Sequence, residues 1–290
     1  MDKIQKFLAY NGKVNITCVE TTNLVEEARS VHDLSPVATA TLGRVLTMGT
    51  LMASGFKSED DSVTLQIRAN GPIGAITVTA EADGKVRGYV ANPQVEVPLR
   101  EDGKLNVGEA VGNDGFLYVI KDIGLKEPYI GMSKLVSGEI AEDFANYYYT
   151  SEQKSTAVAL GVLVNKDGVK KAGGFIVRAM PDATEDELFI LENRLKEAKP
   201  ISQMLEEDMT LLEIAKDITG DINIQVLKEE ESKPKYECNC SKEKMARGLQ
   251  TIGKEELQKI IEEDKKAETV CQFCNKKYEF NEEELKSLIS

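Results

Sequence analysis

Tryptophan is absent from the 290-residue sequence, and histidine occurs once, at His32. The missing tryptophan excludes nothing by itself. The single histidine removes more: a zinc site mixing several histidines with cysteine lacks its ligands, and no Ser/His/Asp set can be read along the chain. No run of 18 apolar residues occurs, so no membrane-spanning helix is expected. Residues 1–6 carry no signal-peptide core, and the expectation is an intracellular, cytoplasmic protein. A phosphate-binding glycine loop is also missing; Gly173-Gly174 reads as a turn or strand start.

What is present describes a soluble globular protein. Apolar residues make up 41% and charged residues 29%. The length allows a sizeable core and two domains or more. The net charge is −13, and residues 182–290 hold 27 acids against 17 bases. Nucleic-acid binding needs a basic stripe, so this balance argues against a nucleic-acid partner. No membrane partner is expected either.

Four of the five cysteines form two close pairs, Cys238-Asn239-Cys240 and Cys271-Gln272-Phe273-Cys274, with thirty residues between them. Cysteines one or two positions apart can aim their sulfurs into one small volume, and two such pairs make a tetrahedron. Zn²⁺ takes four thiolates at about 2.3 Å in closed sites. One zinc per chain on Cys238, Cys240, Cys271 and Cys274 is the direct reading; a chance surface thiol pair is the bland one. Inside the cell thiols stay reduced, so such pairs mean metal or redox chemistry more often than permanent disulfides. Cys18 lies in the apolar or neutral stretch Asn15-Ile16-Thr17-Cys18 and reads as a buried structural cysteine.

Along the chain, residues 1–57 read as an opening strand followed by helices. Thr21-Thr22-Asn23 offers an N-cap, and Pro36 opens a helix that is apolar on most faces. Its methionines suit core packing better than a client surface. Residues 62–120 read as β structure: strands at 62–68, 73–80, 86–90 and 116–120 in a mostly antiparallel sheet. A helix is expected at 139–152 and strands at 160–164 and 174–180. Residues 182–231 hold two capping boxes, Thr184 to Glu187 and Thr210 to Glu213, each opening a short amphipathic helix. Such helices build no core alone and must lie on a neighbour. Residues 229–234 read as an exposed hinge. The cysteine module follows, with helices from Ser241 to about Leu249, over 255–264, and after an Asn281 cap. The fold class is α+β. An N-terminal core (1–181) carries a helical linker packed on it (182–234) and a small C-terminal Cys₄ zinc module (235–290).

A module of this size has too few large apolar residues to fold unaided. Zinc would supply on the order of 10–16 kcal/mol. Lys235, Lys242, Lys244, Lys276 and Lys277 can offset the charge of four thiolates. Oxidants attack thiolates. The nearest partner of each sulfur lies within its own pair, which favours Cys238–Cys240 and Cys271–Cys274 disulfides. Bonds so local constrain little chain and would not replace the metal. The module would unfold, the tethered linker would come free, and apolar surface would be exposed. A permanently structural zinc without redox role is the alternative from chemistry alone.

The whole chain resembles the heat-shock protein 33 family of bacterial redox-regulated holdase chaperones. The resemblance rests on the C-x-C and C-x-x-C pairs in Cys238-Asn239-Cys240-Ser241-Lys242-Glu243-Lys244 and Cys271-Gln272-Phe273-Cys274-Asn275. It extends to Leu42-Gly43-Arg44, Asn70-Gly71-Pro72-Ile73-Gly74-Ala75-Ile76, Tyr89-Val90, Asn92-Pro93-Gln94-Val95, Val136-Ser137-Gly138-Glu139, Ser151-Glu152-Gln153 and Ala172-Gly173-Gly174-Phe175. It implies a protein that is inactive when reduced and zinc-bound. Oxidation would release zinc, unfold switch and linker, and yield an ATP-independent holdase, often a homodimer, that binds unfolded or aggregation-prone clients. The zinc and disulfide roles carry over to Cys238, Cys240, Cys271 and Cys274; client-binding residues do not carry over singly. Cys18 lies outside the family's set. Ser155 stands where relatives often have proline, and Ala159 where they often have glycine.

Two rival classes stay open. A thiol oxidoreductase could use Cys271 and Cys274, although this C-x-x-C opens no helix in a βαβ setting. A zinc adaptor could bind another protein whatever its redox state.

Overall fold

The computed structural model describes residues 2–227 and 233–289. The chain divides into two compact units, residues 1–236 and 237–290. The first opens with a hairpin, β1 (Lys3–Ala9) and β2 (Val14–Glu20), followed by helices α1 (Thr22–His32) and α2 (Pro36–Ala53). Next come β3 (Ser62–Ala69), β4 (Ile76–Glu81), β5 (Lys85–Val90), α3 (Val107–Val111), β6 (Gly115–Asp122) and β7 (Tyr129–Lys134). Helix α4 (Ala141–Thr150) leads into a long hairpin, β8 (Thr156–Asn165) and β9 (Gly168–Ala179). Three helices follow, α5 (Glu185–Glu197), α6 (Ile201–Glu206) and α7 (Leu211–Thr219), and then two short strands, β10 (Gln225–Val226) and β11 (Lys235–Tyr236).

The strands of this unit make two sheets, and the antiparallel sheet expected over residues 62–120 is one of them. One has the order β10-β1-β2-β9-β8, the other β11-β5-β4-β3-β6-β7. Among the described residues every pairing is antiparallel except β11 with β5. Helix α2 packs on both sheets, which explains why it is apolar nearly all round. Ser35 caps it by accepting from the Ala38 N–H, and Pro36 fits the first turn. Its buried threonines 39, 41, 47 and 50 each donate to the carbonyl four residues back, so no hydroxyl is stranded. At Gly43 a Cβ would stand 2.7 Å from Val25 and 2.9 Å from Val162, so glycine lets α2 approach α1 and β8 closely. The methionines of α2 are core residues, as expected: Met48 is wholly buried.

The outer face of the first sheet is covered by the linker helices. Phe7, Val14, Ile16, Cys18, Phe175 and Val177 meet Leu191 of α5, Ile201, Met204 and Leu205 of α6, and Leu211, Ile214 and Ile218 of α7 in one apolar cluster. Both capping boxes form, Thr184 with Glu187 and Thr210 with Glu213. A nine-residue helix such as α7 is marginal alone. It persists because its apolar stripe is buried, each such side chain contributing about 1.5–3 kcal/mol.

Several local expectations shift. Residues 1–20 form two strands, not one. Ile73 belongs to the turn before β4, because its N–H pairs with the Ala110 carbonyl rather than with a ladder. Strand β7 was not expected; its exposed Tyr129, Ile130 and Met132 hide the usual alternation. Gly173 and Gly174 lie inside β9. Of the expected hinge, residues 229–232 lie outside the described residues, and Pro234 is buried rather than exposed.

The second unit holds α8 (Lys242–Gln250), α9 (Lys254–Glu263), the hairpin β12 (Lys266–Val270) with β13 (Lys277–Asn281), and α10 (Glu282–Ile289). All three expected helices form, α8 and α10 behind the Ser241 and Asn281 caps and α9 without a side-chain cap; the hairpin was not foreseen. Its fully buried set is small: Leu257, Ile261, Cys271, Tyr278, Phe280 and Leu285.

Candidate metal centre

Two turns build the site. Cys238 and Cys240 sit on the extended segment entering α8. Ser241 ends that segment by accepting from the Lys244 N–H at 3.3 Å, and the Lys244 ammonium donates to the Asn239 carbonyl at 2.7 Å, holding the loop between the two sulfurs. Cys271 and Cys274 sit on the β12–β13 turn. There the Cys271 carbonyl accepts from the N–H groups of Cys274 at 3.3 Å and Asn275 at 2.8 Å, and the Cys271 N–H donates to the Lys276 carbonyl at 3.0 Å. Asn275 takes the left-handed conformation (φ 57°) that closes the turn, which asparagine tolerates better than most residues.

The four sulfurs lie within 4.8 Å of one another. Cys238 Sγ is 3.7 Å from Cys271 Sγ, and Cys240 Sγ is 3.4 Å from Cys274 Sγ. Cys271 is buried and the other three are half-buried. A donor set of four sulfurs in this volume fits a tetrahedral thiolate metal and offers nothing to hard oxygen-seeking cations. The apolar walls, Leu257, Phe280 and Leu285 among them, keep water from the buried side.

Sequence reasoning missed one member of the site. The Tyr278 hydroxyl lies 3.1 Å from Cys240 Sγ; the only cue was a tyrosine four residues after Cys274, in a strand not foreseen. Burial pushes the Cys240 thiol up, but hydrogen bonding from Tyr278, Cys274, Cys238 and Cys271 outweighs it and brings the value down to about 7. The same hydrogen bond pushes the Tyr278 phenol up. Burial raises the Cys238 and Cys274 thiols. Hydrogen bonding thus favours the thiolate of Cys240, the form that binds metal and reacts with oxidant.

Of the lysines expected around the sulfurs, Lys244 holds the Asn239 loop as described, and the others make further contacts. Lys242 pairs with Glu284 and lies over the Phe280 ring, Lys277 pairs with Glu268, and Lys276 lies over the Tyr278 ring. Lys235 belongs to the first unit, in β11. Cys18 is wholly buried beneath the linker helices, and burial alone pushes its thiol up, so it behaves as a small core residue.

A family model described as Hsp33 protein matches residues 2–281. A protein of Clostridium beijerinckii named 33 kDa chaperonin is 49% identical over 290 residues, covering 100% of this chain and 98% of that one. The 33 kDa chaperonin of Clostridioides difficile is 46% identical, covering 99% and 98%. The crystal structure of the 33 kDa chaperonin (heat shock protein 33 homolog) of Thermotoga maritima superimposes with a TM-score of 0.89 at 38% identity, covering 99% of this chain and 97% of that one. With fold, cysteine constellation and full-length similarity agreeing, the chain belongs to the Hsp33 protein family.

Proposed function

We propose that this protein is a redox-switched, ATP-independent holdase chaperone of the cytoplasm, acting by binding clients rather than by catalysis. The observation that carries the reading is the convergence of four cysteine sulfurs within 4.8 Å in a unit of residues 237–290 that has only a small apolar core. In functional terms the chain divides into a chaperone core (1–181), a helical linker (182–234) and a redox switch (235–290).

Zn²⁺, when bound, would hold Cys238, Cys240, Cys271 and Cys274 as thiolates and contribute on the order of 10–16 kcal/mol to folding. With peroxide as oxidant, each close pair of thiolates gives up two electrons and gains one S–S bond, while the O–O bond breaks and its two oxygens take two protons from solvent and leave as two waters. Cys238 joins Cys240, and Cys271 joins Cys274. Sulfurs so bonded no longer serve as ligands, and a core of six buried residues cannot keep the unit folded. Helices α5–α7 then lose the ordered chain that follows them and lift from the sheet. Phe7, Ile16, Phe175 and Val177 on one side, and Leu211, Ile214 and Ile218 on the other, become apolar surface for unfolded clients. Oxidised chains with such surface would pair as homodimers.

The test is aggregation suppression. A chemically unfolded client is diluted into the protein, once reduced with zinc and once after peroxide at mildly raised temperature, and light scattering is followed. Suppression after oxidation alone is expected. Equal suppression in both states would reduce the metal to a structural staple, and none in either state would refute chaperone function.

A further inference from the structure

Strand β11 is two residues long, yet it is seated with care. It runs parallel to β5, with Lys235 opposite Lys85 and Tyr236 opposite Val86, and the Lys235 N–H donates to the Gly84 carbonyl at 3.0 Å. The other edge of β5 is taken by β4, so β11 covers the remaining edge. Helix α1 forms the opposite wall. The Tyr236 hydroxyl donates to the Gly88 carbonyl at 2.7 Å and lies 2.8 Å from His32 Nε2, the chain's one histidine, whose ring meets the tyrosine edge-on at 6.2 Å. Pro234 is buried before it. Lys233, Pro234 and Lys235 line a cleft with Glu27, and Asp83 attracts Lys235.

This groove therefore has three recognition elements. A strand edge offers backbone hydrogen bonds, His32 and the Gly88 peptide make a seat for a phenol, and Glu27 and Asp83, the latter paired with Lys85, place negative charge nearby. We propose that the groove is a binding site for an extended client segment carrying an aromatic residue beside a lysine or arginine, and that β11 fills it as an internal stand-in. Unfolding proteins present extended backbone that can add a strand to such an edge. The proposal rests on the switch reading in one respect: β11 ends two residues before Cys238, so unfolding of the cysteine unit is what vacates the groove.

The test uses a fluorescein-labelled peptide, acetyl-Lys-Pro-Lys-Tyr-Glu-amide, matching residues 233–237, titrated with full-length protein by fluorescence anisotropy. Oxidised wild type and reduced Tyr236→Ala protein are expected to bind it at least about tenfold more tightly than reduced wild type. Alanine in place of the peptide's tyrosine weakens binding about tenfold, the size of one or two lost hydrogen bonds. His32→Ala in the oxidised protein weakens it several-fold. Tyr236→Phe keeps the ring and drops only the hydroxyl; binding by this reduced variant above wild type supports the groove even if the alanine variant misfolds. Equal binding of the tyrosine and alanine peptides, or indifference to His32→Ala, overturns the proposal. So does a peptide that converts an oxidised dimer to monomers in size-exclusion chromatography, because the occupant is then a second copy's strand. Binding by the reduced variants without binding by oxidised wild type supports the groove and contradicts the switch. No binding by any form, with aggregation suppression intact, overturns the groove and leaves the switch standing.

Discussion

The sulfurs of Cys240 and Cys274 lie 3.4 Å apart, although 34 positions separate them in the chain. Cys238 and Cys271 approach in the same crosswise way, at 3.7 Å. The folded unit thus brings sulfurs of different pairs as close as a metal site requires, and pairing on oxidation is decided by how the unit comes apart. Once it loosens, short loops close at least entropic cost. Peptide mapping after peroxide is expected to find Cys238–Cys240 and Cys271–Cys274. A dominant Cys240–Cys274 bond would contradict this, because it would staple α8 to the β12–β13 turn and preserve the unit.

Cys271 is the most buried of the four. Cys271→Ser leaves three sulfurs and a buried hydroxyl in place of the fourth. Bound zinc, measured by a colorimetric chelator, is expected to fall from one per chain toward zero. The helical far-ultraviolet signal of residues 242–289 should fall with it, since the lost metal contribution is on the order of 10 kcal/mol.

Ile214 is wholly buried between α7 and the first sheet. Ile214→Ala should cost about 2–5 kcal/mol and loosen the linker without touching a cysteine. Trypsin cleavage after Lys216 is expected to accelerate in reduced protein whose zinc content stays at one per chain. Unchanged cleavage would mean that α7 is held by something other than its apolar stripe.

These elements mark how far the sequence carries. The capping boxes at Thr184 and Thr210 placed α5 and α7 to the residue, because an N-cap hydrogen bond is local and its side chains are specific. The apolar stripe of α7 implied a docking partner, but only the structure shows that partner to be Phe7, Ile16 and Phe175. The convergence of Cys238, Cys240, Cys271 and Cys274 was legible from spacing alone, since two such close pairs are chemistry with few substitutes. Tyr278 was not, since its role depends on a hairpin register that pairs Thr269 with it. The sheet over 62–120 was legible, but the pairing of β8 and β9 with β1 and β2 was not, because strand alternation tells which face is apolar and not which strand lies alongside. Strand β11 is too short for any periodicity, and its seat depends on His32, about 200 positions away.

Glu152 supplies the pH dependence. Burial pushes its carboxyl up, but hydrogen bonds and charge from Lys121 and Lys154 outweigh burial and hold it below the ordinary 4.5. A depressed folded-state value stabilises the fold above 4.5 and loses that contribution as pH falls through the folded value. Glu152→Gln is therefore expected to lower the urea midpoint at pH 7, and the gap to wild type should narrow below about pH 4.5. A gap independent of pH would show that packing of the side chain, rather than its charge, is what matters.

The most direct measurement is hydrogen exchange by mass spectrometry on the full-length protein, reduced with zinc and then oxidised, with aggregation suppression followed in the same samples. The expected result is loss of protection in residues 237–289 together with α5–α7, appearing as suppression appears, while α2 and β3–β6 stay protected. Suppression that appears with α5–α7 still protected would contradict the account, because the client surface would then lie elsewhere than under the linker.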